Sequence, residues 1–270
     1  MSLPWQNIFQ AANACLMEQD TKTKIDQTNQ AQKAWLAGQL DQTPSEEHPH
    51  PIEVPGRPDR PELVSPRHLP RRNMHSTEGL AALIHSLCHI EFNAINLAWD
   101  AVYRFQQMPT DYYTDWIRVA VEEAYHFSLL RDHLISLGYD YGDFVAHNGL
   151  WEMAVKTDFD PMVRMALVPR VLEARGLDVT PGIMAKLEEV GDQAAVEILK
   201  IIHRDEIGHV EIGSRWFHHL CQQRDLEPTK TFEQLINQYM KGKLKGPFDK
   251  PVRRKAGFTE AELEYLDGAG

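Results

Sequence analysis

Glu122-Glu123-Ala124-Tyr125-His126 and Asp205-Glu206-Ile207-Gly208-His209 decide how this chain folds. In each stretch a Glu and a His stand at i and i+3, so on a helix both side chains leave one face, a turn apart. A lone glutamate precedes each motif at nearly the same distance. Glu91 lies 32 residues before Glu123, and Glu173 lies 33 residues before Glu206. One Glu from each of two helices, with Glu-x-x-His from each of two others, is a donor set for a pair of metal ions. The matched spacing predicts two similar helical hairpins facing each other, hence an all-α four-helix bundle.

Glu-x-x-His alone is weak, and Glu47-His48-Pro49-His50 matches it within a Pro-rich loop. Context separates the other two. Around Glu91 the apolar stripe runs Leu80, Ile84, Leu87, Ala94, Ala98, Val102; around Glu123 it runs Trp116, Val119, His126, Phe127, Leu130, Leu134. Met162, Met165, Ala166, Pro169 and Leu177 flank Glu173, while Leu199, Ile202, Gly213, Trp216 and Leu220 flank Glu206 and His209. All four glutamates thus occupy positions where a period of 3.6 asks for a core residue. A buried carboxylate without compensation takes up a proton, whereas two divalent cations would balance four carboxylates. The competing reading turns some glutamates to solvent, or pairs them with Arg118, Arg170 or Arg204.

The candidate metal ligands are therefore Glu91, Glu123, His126, Glu173, Glu206 and His209. Glu122 competes with Glu123, since it stands four residues before His126; Glu123 is preferred because the two motifs then align. Glu122, Cys88 and His203 are candidates for a supporting layer around the ligands, and His85 and His203 are equally readable as core imidazoles. Cys88 reads as a small core residue, or as a thiol beside an oxidising centre. Ala94, Ala98, Ala120, Ala166, Gly208 and Gly213 either leave room for a small substrate or let helices approach closely.

At 270 residues the chain holds one large domain or a domain with appendages. A net charge of −11 argues against a general nucleic-acid binder. Cys15, Cys88 and Cys221 form no C-x-x-C pair, which suits a reducing cytoplasm and excludes a disulfide framework or an in-chain rubredoxin-type iron site. No signal peptide or uninterrupted membrane-spanning run is seen. The expected division is 1–40, N-terminal helices; 41–75, a Pro-rich arm; 76–225, the dimetal bundle; and 226–270, a C-terminal helix and basic tail.

One or two amphipathic helices are expected in residues 4–38. Pro51, Pro55, Pro58, Pro61, Pro66 and Pro70 preclude a helix in the arm and predict an extended cover or a loose loop. His48, His50, His68 and His75 share no face and read as solvated. Asp160-Pro161 and Thr180-Pro181 each pair an N-cap with Pro at the first helical position. Gly138 and Gly176 mark helix ends or a break, and Pro169 must kink or unwind its helix four residues before Glu173. Thr231 to Gln234 reads as a helix start, as does Thr259 with Glu262. Seven basic residues between Lys241 and Lys255 predict a solvated tail or an intramolecular strap.

Residues 78–224 resemble the ferritin-like superfamily. More narrowly, Cys88 to Leu97, Glu122 to His126, Pro169 to Asp178 and Asp205 to Glu211 resemble the bacterial ferritin-like family known as domain of unknown function 455. The match extends through Lys255-Ala256-Gly257-Phe258. The resemblance implies a ferritin-like four-helix bundle with additional N-terminal helices, a Pro-rich arm and a C-terminal extension. It also implies that Glu91 and His126 are terminal ligands of one metal, Glu173 and His209 of the other, and that Glu123 and Glu206 bridge. A full Glu-x-x-His in both hairpins looks more like bacterioferritins, ribonucleotide reductase small subunits and di-iron oxygenases than like storage ferritins. Unlike rubrerythrins, the chain has no cysteine-ligated electron-transfer domain.

Carboxylate and imidazole donors suit two iron ions, with manganese or mixed manganese/iron as alternatives. The expected activity is that of an oxidase or hydroxylase that activates dioxygen, acts on a small or apolar substrate and draws electrons from a separate donor. Ferroxidase, peroxide-scavenging or iron-handling activity is the second expectation; a tRNA-modifying hydroxylase, suggested by the basic tail and by superfamily precedent, is the third. No membrane partner is expected, and oligomeric state is not legible.

Overall fold

The computed structural model describes residues 4–46, 48–70, 73–240, 244 and 246–268. Glu47 of the loop motif and Lys241, Lys243 and Lys245 of the basic stretch lie outside the described residues. The described chain is all-helical; it forms no β-strand, only two isolated bridges. It divides into two compact units, residues 1–155 and 156–270.

The first unit is built on helices α1 (Ile8–Met17), α2 (Thr21–Leu36), α3 (Thr77–Arg104), α4 (Thr110–Ser136) and α5 (Gly149–Lys156), with the division falling at the end of α5. Helix α3 starts where Ser76 Oγ accepts a hydrogen bond from Gly79 N at 3.1 Å. From Glu91 to Val102 every residue of α3 is buried. By length and averaged composition α3 is apolar enough to cross a membrane, although no uninterrupted run shows it. Its apolar window is 67% buried by the fold itself, which makes it a core helix.

Helices α3 and α4 pack along one another as a hairpin joined by residues 105–109, while α1 packs on α3 and α2 on α4. Gly138, at φ +87°, ends the α4 turn as expected. Lys24 of α2 is fully buried, and its ammonium donates to Cys15 O (2.7 Å), Leu16 O (3.1 Å) and Asn96 Oδ1 of α3 (2.6 Å). It thereby satisfies carbonyls left open at the end of α1.

The described part of the Pro-rich segment forms one short 3₁₀ turn, Pro66–His68, and otherwise lies extended over this unit. Val64 N donates to Ala146 O (2.8 Å) and Ala146 N to Glu62 O (3.0 Å). Trp151 Nε1 donates to Glu53 O (3.0 Å), and Gly56 sits where a Cβ would meet the Met17 backbone at 2.2 Å. His48, His50, His68 and His75 are exposed.

The second unit comprises α6 (Pro161–Leu167), a π-helical segment (Val168–Glu173), α7 (Ala174–Glu189), α8 (Gln193–Gln223), α9 (Pro228–Tyr239), α10 (Lys250–Lys255) and α11 (Glu260–Gly268). Asp160 caps α6 at Met162 N (2.8 Å) with Pro161 in the first turn, as expected. Pro169 lacks the N–H for an α-helical bond, and the chain widens into the π segment there. The pyrrolidine ring rests against Gly213 of α8, where a Cβ would lie 2.4 Å from Pro169 Cγ.

Three local expectations need correction. Thr180-Pro181 does not start a helix, and Gly176 does not end one, because α7 runs through both. Pro181 leaves Leu177 O without its usual i+4 donor; His203 Nε2 of α8 lies 3.3 Å from that carbonyl and replaces it. Thr231 does not cap α9. The helix starts earlier, at Pro228, where the Glu227 carboxylate accepts from Thr229 N (3.0 Å) and Lys230 N (2.7 Å).

The Thr259–Glu262 cap forms reciprocally: Thr259 N donates to Glu262 Oε2 (2.9 Å), and Glu262 N to Thr259 Oγ1 (3.3 Å). Residues 249–268 form the strap, tied down by Arg253 to Asp178 (2.7 Å) and by Glu262 to Arg170 (2.7 Å).

Candidate metal centre

In the first unit, α3 supplies Glu91, and α4 supplies Glu123 and His126. His126 Nδ1 lies 3.3 Å from Glu91 Oε2 and 3.3 Å from Glu123 Oε2. Each residue offers a ligand atom, and these atoms lie within 4.8 Å of one another. Exposure is 4% for Glu91 and 0% for Glu123 and His126. The i, i+3 spacing puts the two α4 side chains on one face, and the α3–α4 packing brings Glu91 to them.

Electrostatics make this cluster costly without a cation. Burial, reinforced by the Glu123 carboxylate, pushes the Glu91 carboxyl well above its ordinary value. Burial alone would lower the His126 imidazole, but hydrogen bonds to Glu123 and Glu91 outweigh it and raise the group to about 11. Both shifts have one meaning: the metal-free cluster retains protons. Two carboxylates and an imidazole this close could hold a metal ion, which would replace that positive charge.

In the second unit, Glu206 and His209 stand one turn apart on α8, with His209 Nδ1 3.5 Å from Glu206 Oε1. His209 is buried and the Glu206 side chain is 14% exposed. Glu173 is half-buried and closes the π segment, which packs on α8. The candidate ligands thus fall three in each unit, and the Glu–His pair of α8 repeats the i, i+3 spacing of the pair on α4.

The arginines offered as alternative counter-charges are engaged elsewhere. Arg170 pairs with Glu262 and Arg204 with Asp205, and Arg118 is exposed. Around the trios, Cys88 is buried with Sγ 3.8 Å from Phe127 O, and burial raises its thiol well above the ordinary value. It is a packed thiol rather than a ready thiolate. Glu122 is half-buried, and His203 is occupied with Leu177 O. Of the small residues, Ala98, Ala120 and Ala166 are fully buried, and Gly213 serves close packing against Pro169.

Sequence reasoning missed a polar ladder on α3. His89 Nδ1 lies 2.8 Å from the Tyr141 hydroxyl, its Nε2 lies 3.1 Å from His147 O, and Asn93 Nδ2 donates to His89 O (2.8 Å). Nε2 also lies 3.0 Å from Asn93 Nδ2, so it faces one acceptor, His147 O, and one donor. Burial lowers His89 to about 4, keeping it neutral. His85 Nε2 accepts from Gly142 N (3.0 Å) and stacks on Tyr141. The signal was present in polar residues at 85, 89 and 93, spaced four apart along one face of α3.

A family model described as "Protein of unknown function (DUF455)" matches residues 17–264. A Haemophilus influenzae protein described as "Uncharacterized protein" is 50% identical over 216 residues, covering 77% of this chain and 75% of the relative. No solved structure matches the chain. The match over nearly the whole length, together with this relative, places the chain in the family of proteins of unknown function DUF455.

Proposed function

We propose that the chain is a dinuclear metal carboxylate protein of ferritin-like design, with two iron ions held by Glu91, Glu123, His126, Glu173, Glu206 and His209, and that it is an oxidase or hydroxylase. The observation that carries this reading is the first trio: two buried carboxylates and a buried imidazole whose ligand atoms lie within 4.8 Å of one another. The donor set fits iron or manganese. Bound as a ferrous pair, the metals would supply two electrons to dioxygen. Glu91, Glu123 and His126 would bind one ion and exclude water from it, while Glu206, His209 and Glu173 would bind the other. Helix α3, buried from Glu91 to Val102, gives the trio a rigid frame.

A second reading, iron handling, is favoured by the partial exposure of Glu206, which suits an ion entering from solvent. Of the basic stretch behind the tRNA-modifying reading, Lys250, Arg253 and Arg254 pair with Asp267, Asp178 and Glu260. The test is anaerobic titration with Fe(II), followed by an oxygen pulse. Two irons per chain and oxygen uptake that stops after one cycle without reductant support the oxidase. Uptake of many irons per chain supports metal handling, and fewer than about two overturns the dinuclear site.

A further inference from the structure

The π segment carries both Glu173 and, three residues earlier, Arg170. Arg170 is fully buried and lies over three rings, those of Phe217, Phe232 and Phe258, with its guanidinium carbon 4.7, 4.3 and 4.6 Å from their centroids. Its Nη2 is 2.7 Å from Glu262 Oε1, and its Nε donates to Ser214 Oγ (3.1 Å). Ser214 Oγ in turn donates to Ala256 O in the strap (2.8 Å). Glu262 is also fully buried, and its other oxygen accepts from Thr259 N (2.9 Å). Both charged groups are therefore fixed from both ends.

We infer that Glu262 is a positioning residue for the candidate ligand Glu173, acting through Arg170. A π turn gives up regular α-helical bonding, so its shape depends on what grips it from outside. Here one grip is Pro169 against Gly213, and the other is Arg170, held by the strap. Arg170 and Glu173 share that short turn, so displacing the guanidinium displaces the carboxylate one turn on. Phe232 and Phe258 come from α9 and from the loop before α11, so the C-terminal segments close around this one side chain. The ion pair sets the affinity for the metal that the second unit's candidate ligands, Glu173, Glu206 and His209, would hold, and leaves Glu91, Glu123 and His126 untouched. This inference rests on the dinuclear reading above.

The test uses the full-length chain and Co(II) alone, titrated by calorimetry and visible absorption well below the melting temperature, with wild type, Glu262→Gln and the double variant Arg170→Met with Glu262→Leu. Wild type should bind two Co(II). Glu262→Gln should keep one at wild-type affinity and bind the other at least tenfold more weakly, with altered absorption for that ion. The double variant removes both buried charges, a change that proteins often tolerate without loss of stability, and it should show the same selective weakening. Two ions of unchanged affinity and spectrum in either folded variant, even with a lowered melting temperature, would overturn the inference and assign the pair to stability alone. Fewer than two ions in wild type would instead overturn the dinuclear reading, and the inference with it.

Discussion

His126 Nδ1 lies 3.3 Å from Glu91 Oε2, so a cross-helix contact of the first trio joins a proton-retaining imidazole to a buried carboxyl. Because His126 is raised to about 11 and Glu91 is also raised, metal must displace protons to bind. Binding of divalent metal should strengthen as pH rises from 6 to 8. Calorimetric enthalpies measured in buffers of different ionisation heat should report net proton release. An enthalpy independent of buffer would contradict this.

Replacing His126 or His209 with Ala should remove about one metal per chain while far-ultraviolet circular dichroism stays helical, and His50→Ala should leave loading unchanged. Elemental analysis after desalting distinguishes the three. Equal losses at all three positions would mean that the loop histidines were wrongly set aside.

Lys24 gives a second pH signature, outside the candidate ligands. Burial lowers its ammonium from 10.5 to about 7. Between these values the unfolded chain binds more protons than the native one, so native stability rises with pH through this window. The contribution approaches about 1.4 kcal/mol per pH unit. Lys24→Met should abolish that rise, so wild type should gain on the variant from pH 7.5 to 9.5 in urea denaturation. Parallel stability profiles would show that Lys24 stays protonated throughout.

Gly213→Ala should lower stability by about 1–3 kcal/mol, the usual cost of forcing a methyl into a packed site. The new Cβ would sit 2.4 Å from Pro169 Cγ, so either the ring or α8 must move. Thermal melts of the metal-free protein check the size. Gly208→Ala is the comparison, since a Cβ there meets nothing within 4 Å and Ala favours a helix interior by about 1 kcal/mol, so it should melt at or above wild type.

The helical class and the two Glu–His faces were legible because side chains at i and i+3 share a face whatever else the chain does. Asp160, Thr259 and Glu262 were legible as caps for the same local reason. What escaped depended on distant partners. Pro181 looks like a helix start until His203 covers Leu177 O, and Thr231 looks like a cap until Glu227 takes the turn before it. The Arg170–Glu262 pair left no local trace at all, because its aromatic surroundings come from three separate places in the chain. The spacing of His85, His89 and Asn93 was visible, but the partners of His89, Tyr141 and His147, lie some fifty residues on.

The Arg170–Glu262 pair also fixes an order of events during synthesis. All six candidate ligands leave the ribosome before Glu262 does. A nascent chain halted before Thr259 would therefore carry every donor and still hold the Arg170 guanidinium without the carboxylate that pairs with it. Interrupted translation would yield a product that has all the chemistry and lacks one counter-charge, and that product should be the form that cellular proteases remove first.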